Sequence, residues 1–139
     1  MIREEYPVIH LVGSMPMRAE AHGLMGFGAS GGIPADEEEI RLAVEWLTRR
    51  CKPIKTPRHN SYVVKHCCER WAGRYVSNGA MIIAAERCGF RQRRLRNGVN
   101  TEIGIDTRRL IRLPESDPNY QRSLDFAGIG LSDAPEGDR

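Results

Sequence analysis

Apolar positions recur with helical spacing in the middle of the chain and lose any period towards both ends. Ile40, Ala43, Val44 and Leu47 stand at i, i+3, i+4 and i+7, the stripe of an amphipathic helix. Pro34 and Asp36 precede it, Glu37, Glu38 and Glu39 fill its first turn, and Arg49 and Arg50 its last. Acids at the start and bases at the end complement the helix dipole. With Pro53 as the stop, the pattern predicts a helix over 36–50, and Trp46 lies off its main stripe. A second helix is predicted over 61–72, capped by Ser61 or Asn60 and ended by Gly73. Val64, Cys67, Cys68 and Trp71 share one of its faces, while Lys65, His66, Glu69 and Arg70 share the other, and Tyr75 follows the helix end. A third starts at Ser77 or Asn78 and runs to Cys88, where Gly89 and Phe90 suit a Schellman-type stop.

The flanks read differently. Val8–Val12 predicts one short strand, after which the stretch 23–32 holds five Gly in ten residues and breaks any pattern. Gly26, Gly28 and Gly31 have the spacing of a dinucleotide loop. However, Gly32-Ile33-Pro34 delays the helix that such a loop requires, and no acidic residue closes a following strand. The segment reads as a connector. Residues 52–60 form an extended basic linker with two prolines. Thr101–Ile105 and Arg109–Leu113 flank Asp106-Thr107-Arg108 and predict a small hairpin.

The organisation expected is a flexible Gly-rich arm over 1–34, a basic helical domain over 35–98, a hairpin over 99–113 and an acidic tail over 114–139. The fold class expected is mainly α: a three-helix, helix-turn-helix-like core with a small β-hairpin and flexible termini.

Charge sharpens this picture. The 139 residues carry a formal net charge of only +3, but the charges are segregated. Residues 1–40 hold two Arg and seven acidic residues, residues 41–99 hold fourteen Lys and Arg against three Glu, and residues 100–139 hold five Arg and eight acidic residues. A block of +11 between blocks of −5 and −3 attracts polyanions or an acidic protein face. Four of the basic residues, Arg91, Arg93, Arg94 and Arg96, fall within six positions. Lys52, Lys55 and Arg58 come from the linker, and Lys65, Arg70, Arg74 and Arg87 from the helices and their connection. These residues are the expected nucleic-acid-binding set, with phosphate contacts supplying affinity without reading sequence. In a helix-turn-helix unit the second helix of the pair would enter the major groove. Here it offers only Glu86 and Arg87 as long polar residues between Gly79 and Cys88, which argues against base readout and for burial.

Other chemistries find little in the residues. Cys51, Cys67, Cys68 and Cys88 lack the paired spacing of zinc ligands and read as small apolar packing residues. His10, His22, His59 and His66 stand in unrelated contexts, with no nucleophile or paired carboxylate beside them. The expectation is therefore a non-catalytic protein without cofactor or metal. The start lacks the pattern of a secretory signal, and the longest apolar run, Ala80–Ala85, is too short to span a bilayer. With four Cys read as reduced thiols, the expected setting is cytoplasmic, without a membrane partner.

One stretch carries a resemblance. Ser61-Tyr62 with Lys65-His66, Glu69, Gly73, Tyr75-Val76, Asn78-Gly79, Ala84-Ala85 and Gly89-Phe90 resembles a segment of small uncharacterised proteins of phages, plasmids and other mobile elements. It covers residues 61–90, and Val64 stands where such segments have Leu. The resemblance implies a setting and no catalytic residues: a mobile-element protein acting on DNA, RNA or a host nucleoprotein complex. It makes a second expectation credible, an anti-CRISPR-like inhibitor of host defence that binds a nucleoprotein complex. A homodimer is compatible with either.

Overall fold

The apolar run of the third helix organises the molecule. In the computed structural model, which describes residues 6–26, 32–96 and 98–106, every residue from Asn78 to Ala85 is buried. This helix packs against both other helices and against a sheet formed by the N-terminal residues. The elements in chain order are β1 (Val8–Ile9), β2 (Met17–Glu20), β3 (Gly23–Leu24), α1 (Glu37–Arg50), β4 (His59–Asn60), α2 (Ser61–Ala72), α3 (Asn78–Cys88), β5 (Gln92–Arg94) and β6 (Thr101–Ile103).

The three helices begin and end where the residue pattern places them. Asp36 caps α1 by accepting from Glu39 N–H at 3.1 Å, Asn60 caps α2 by accepting from Tyr62 N–H at 2.8 Å, and Ser77 caps α3 by accepting from Ala80 N–H at 3.1 Å. Gly73 and Gly89 take the left-handed conformation at φ 73° and 81°, and Phe90 N–H bonds back to Ala85 C=O. α1 buries Ile40, Ala43 and Leu47 together with Trp46, which is a core residue although it lies off the stripe.

The fold class is nevertheless mixed α/β. Two three-stranded antiparallel sheets accompany the helices, ordered β1–β2–β3 and β4–β6–β5. Strands of two to four residues are too short to show a period of two, so the sequence pattern hid them. The N-terminal residues correct the expected free arm. β1–β3 place Ile9, Met17, Ala19 and Leu24 in the core. β2 also approaches the start of α3 so closely that a Cβ at Gly79 would collide with the carbonyl of Glu20. Gly79 N–H donates to Ala21 C=O at 2.9 Å across this contact.

The helix that a helix-turn-helix unit would lay in a groove is α3, and the burial of Asn78–Ala85 withdraws all but its last turn from solvent. The expected partner strand Arg109–Leu113 lies outside the described residues, and within them Thr101–Ile103 pairs at longer range. β6 is the central strand, with His59 opposite Ile103 on one edge and Arg93 opposite Glu102 on the other. The Gly26–Gly31 spacing, the 109–113 strand and the acidic tail fall wholly or partly outside the described residues.

A buried polar network ties the sheets to the helices. Ser61 Oγ donates to Asn78 Oδ1 at 2.9 Å and accepts from Thr101 N–H at 3.0 Å. Asn78 Nδ2 donates to His22 C=O and to Asn100 Oδ1, each at 2.9 Å. Thr101 Oγ1 donates to Gln92 Oε1 at 2.6 Å, and Gln92 Nε2 donates to Ile82 C=O at 3.0 Å. Losing one member would orphan its partners, at about 1–3 kcal/mol for each stranded group. The network therefore fixes how β5, β6 and α2 sit on α3.

Candidate nucleic-acid interface

Register divides the basic residues of the second sheet into inner and outer positions. Gln92, Ile103 and His59 are cross-strand partners, and all three are buried. The next row, Arg93, Glu102 and Asn60, therefore faces outwards, and Arg93 is exposed. Arg91 is exposed at one end of β5 and Arg96 in the turn beyond its other end, while Arg94 is half-buried.

The linker 52–58 runs beside β6. Ile54 N–H donates to Gly104 C=O, Arg58 N–H to Ile103 C=O, and Asp106 N–H to Lys52 C=O. Arg93 Nη2 also reaches across to Pro57 C=O at 3.2 Å. Exposed Lys52 and Lys55, with half-buried Arg58, are thereby brought to the same sheet as Arg91, Arg93, Arg94 and Arg96. Two basic segments more than thirty residues apart in sequence are brought to opposite edges of one strand. Glu102 is the acidic residue in the outer row, held by Arg93 at 2.6 Å.

The remaining expected residues are placed elsewhere and engaged differently. Lys65 is 4% exposed. Its Nζ donates to Glu69 Oε2 at 3.0 Å and lies over the rings of Tyr62 and Tyr75, 5.1 and 4.6 Å from their centroids. Arg87 pairs with Glu37 at 3.3 Å. Hydrogen bonding from Arg41 holds Glu38 below the ordinary carboxylate range, and Arg74 adds a smaller attraction. Arg70 is half-buried and lines a depression of about 280 Å³ with His66, Glu69, Arg74 and Tyr75. These cations serve the joints between helices.

Glu69 is the centre of one such joint. It accepts from Lys65 Nζ, from Val76 N–H at 3.0 Å and lies 2.9 Å from His66 Nδ1. Burial alone would raise its pKa, but the Val76 and Lys65 hydrogen bonds outweigh burial and hold the carboxyl below its usual range.

Sequence reasoning missed a cavity of about 540 Å³ between the start of α2, the α2–α3 connection and the turn before β6. Tyr62, Tyr75 and Val99 form its apolar wall; Lys65, Asn78 and Asn100 supply polar groups, with Ala21 and His22 at the rim. The spacing of Tyr62 and Lys65 at i and i+3 was a visible signal. Tyr75 arrives from beyond the Gly73 turn, which no helical period connects to Tyr62.

Elsewhere, burial pushes the thiols of Cys67 and Cys68 up, and those of Cys51 and Cys88 in the same direction. They are protonated at neutral pH. No group of three or more His, Cys, Asp or Glu converges among the described residues to hold a metal ion. His10 and His66 each contact a carboxylate, Glu86 at 2.7 Å and Glu69 at 2.9 Å. Among the described residues neither imidazole is hydrogen-bonded to a Ser or Cys. No helix among the described residues is long and apolar enough to cross a membrane. No family model, curated protein or solved structure matches the chain.

Proposed function

We propose that this protein binds nucleic acid without catalysing a reaction on it, using the outer face of the β4–β6–β5 sheet to contact the phosphate backbone. The observation that carries this reading is the convergence of Lys52, Lys55 and Arg58 with Arg91, Arg93 and Arg96 on that one sheet. Guanidinium and ammonium groups on a short, rigid sheet suit phosphate contacts. They give affinity and orientation without distinguishing bases. The resemblance of residues 61–90 to mobile-element proteins supports that setting for it.

The alternative, an inhibitor that holds a host nucleoprotein complex, draws less support. It would use acidic surface to occupy a nucleic-acid channel. The clearest acidic feature among the described residues, the first turn of α1, is partly committed to the protein's own groups: Arg41 and Arg87 pair with exposed Glu38 and Glu37, and Ser77 N–H donates to Glu39.

Titration against duplex DNA, duplex RNA and single-stranded DNA at several salt concentrations tests the reading. Five or so phosphate contacts give a log–log salt slope of about −4 to −5 on duplex DNA, with micromolar affinity at moderate salt. Absence of binding at low salt would overturn it. Co-purification with a host complex that survives nuclease treatment would favour the inhibitor.

A further inference from the structure

The exposed large apolar side chains among the described residues are Met15, Ile33, Tyr62, Tyr75 and Val99. Three of the five, Tyr62, Tyr75 and Val99, line the one 540 Å³ cavity. Tyr62 is 49% exposed and Tyr75 61%, so ring surface is open to solvent beside groups that form hydrogen bonds. Concentrated apolar exposure around a polar-lined hollow marks a binding site.

We propose that this cavity takes the base of an unpaired nucleotide, stacked on a tyrosine ring. The proposal rests on the nucleic-acid reading and specifies which form of nucleic acid the protein prefers. Three features point to a nucleotide. The first is the pair of tyrosines: both rings are linked through the Lys65 ammonium, which lies over each of them and is itself fixed by Glu69. The rings are thus held in place before any ligand arrives, while Tyr62 keeps 49% and Tyr75 61% of its surface exposed.

The second is the polar lining. Lys65 Nζ has three donors and gives one to Glu69, leaving it able to meet an acceptor that enters the cavity. Asn78 and Asn100 line the same space, and their mutual hydrogen bond fixes the orientation of both carboxamides. Both Asn78 Nδ2 donors are already used, on His22 C=O and Asn100 Oδ1, so the Asn100 carboxamide N–H groups and the Lys65 ammonium are the donors that suit the hydrogen-bonding edge of a base.

The third is continuity with the basic sheet. Asn60, in the outer row beside Glu102, caps α2 through Tyr62 N–H. Asn100 lies two residues from Glu102, about 7 Å along an extended chain. The hydrogen bond from Leu95 N–H to Asn100 C=O closes the turn that carries Arg96. A strand whose phosphates lie along the outer face therefore reaches the cavity within about one nucleotide. In a duplex the bases are stacked and paired, so only an unpaired base can enter.

The test compares three fluorescent probes of equal length: single-stranded DNA, the same phosphodiester backbone made abasic, and duplex DNA. The expected result is single-stranded DNA bound about tenfold more tightly than the abasic strand, in the range of one base stacked on an aromatic ring. The double variant Tyr62→Ala/Tyr75→Ala should lower single-strand affinity to the abasic level, with abasic affinity unchanged. The variant Tyr62→Phe/Tyr75→Phe should keep the preference, since it retains both rings. Equal binding of abasic and single-stranded probes by the wild type, or a preference that survives the double Ala variant, would overturn the cavity assignment while leaving backbone binding intact. Failure of all three probes to bind at low salt would overturn both readings.

Discussion

The second sheet and the helical joints draw on the same basic block of sequence and use it differently. On and beside the sheet, Arg91, Arg93 and Arg96 are exposed, and Arg93 is paired with Glu102, the acidic residue opposite it. At the joints, Lys65 is buried against Glu69, Arg87 meets Glu37, and Arg74 lies near Glu38. Charge counted along the chain cannot separate these populations. What separates them is which acidic residues the topology brings within reach: the first turn of α1 is delivered to the helices, and the sheet receives little.

The comparison is broken most directly by removing the sheet's cations. Replacing Arg91, Arg93, Arg94 and Arg96 by Ala should weaken binding by about 100-fold at low salt and flatten the salt slope by about three to four units. Equilibrium titration at graded salt measures both. Unchanged affinity would move the interface away from the sheet.

The inner side of the same sheet makes the next largest prediction. Burial pushes the His59 imidazole down to about 4, with Arg58 adding to the shift and Glu102 opposing it. Its Nε2 is buried without a hydrogen-bond partner among the described residues. The folded value lies below the unfolded value of about 6.5, so the unfolded chain binds the proton more readily. The contribution is fully present above about pH 6.5 and is lost as pH falls towards 4, in total about 3 kcal/mol. Urea midpoints measured from pH 7 to pH 4 should fall accordingly, and His59→Leu should flatten that slope. Glu69, held below the ordinary carboxylate range, loses its contribution at lower pH, as acid titrates it, so the two windows separate.

Smaller effects refine the contrast. Glu102→Gln removes the acidic residue from the outer row and frees Arg93, so affinity should rise about threefold, an effect that shrinks as salt rises. Arg87→Ala breaks an exposed pair at a helical joint. It should leave binding within about twofold and stability within about 0.5 kcal/mol, as surface ion pairs do. A large binding loss in that variant would erase the distinction between the two populations.

The helices were legible because their signals are local. Asp36, Gly73 and Gly89 mark ends through bonds within a few residues, and each takes the conformation its chemistry favours. The sheets were hidden because their partners are distant: His59 meets Ile103, and Arg93 meets Glu102, across chain segments that contain whole helices. The cluster 91–96 was visible as charge but not as a strand. Strand alternation turns Gln92 inwards, leaves Arg91 and Arg93 outside and half-buries Arg94, so one apparent block divides into unequal parts. Lys65 lies on the polar face of α2 yet is buried, because Tyr75 covers it from beyond Gly73, outside the period of the helix.

The central place of β6 has a temporal consequence. β4 and β5 have no bond to each other except through a strand that leaves the ribosome after both, and Ser61 and Gln92 wait for Thr101 to complete their hydrogen bonds. The helices can form from local contacts as they emerge, whereas the second sheet needs pairing of high sequence separation, which is slow. The surface assigned to nucleic acid is thus assembled last, after synthesis has passed Ile103, so a nascent chain displays its arginines before it has the geometry to use them.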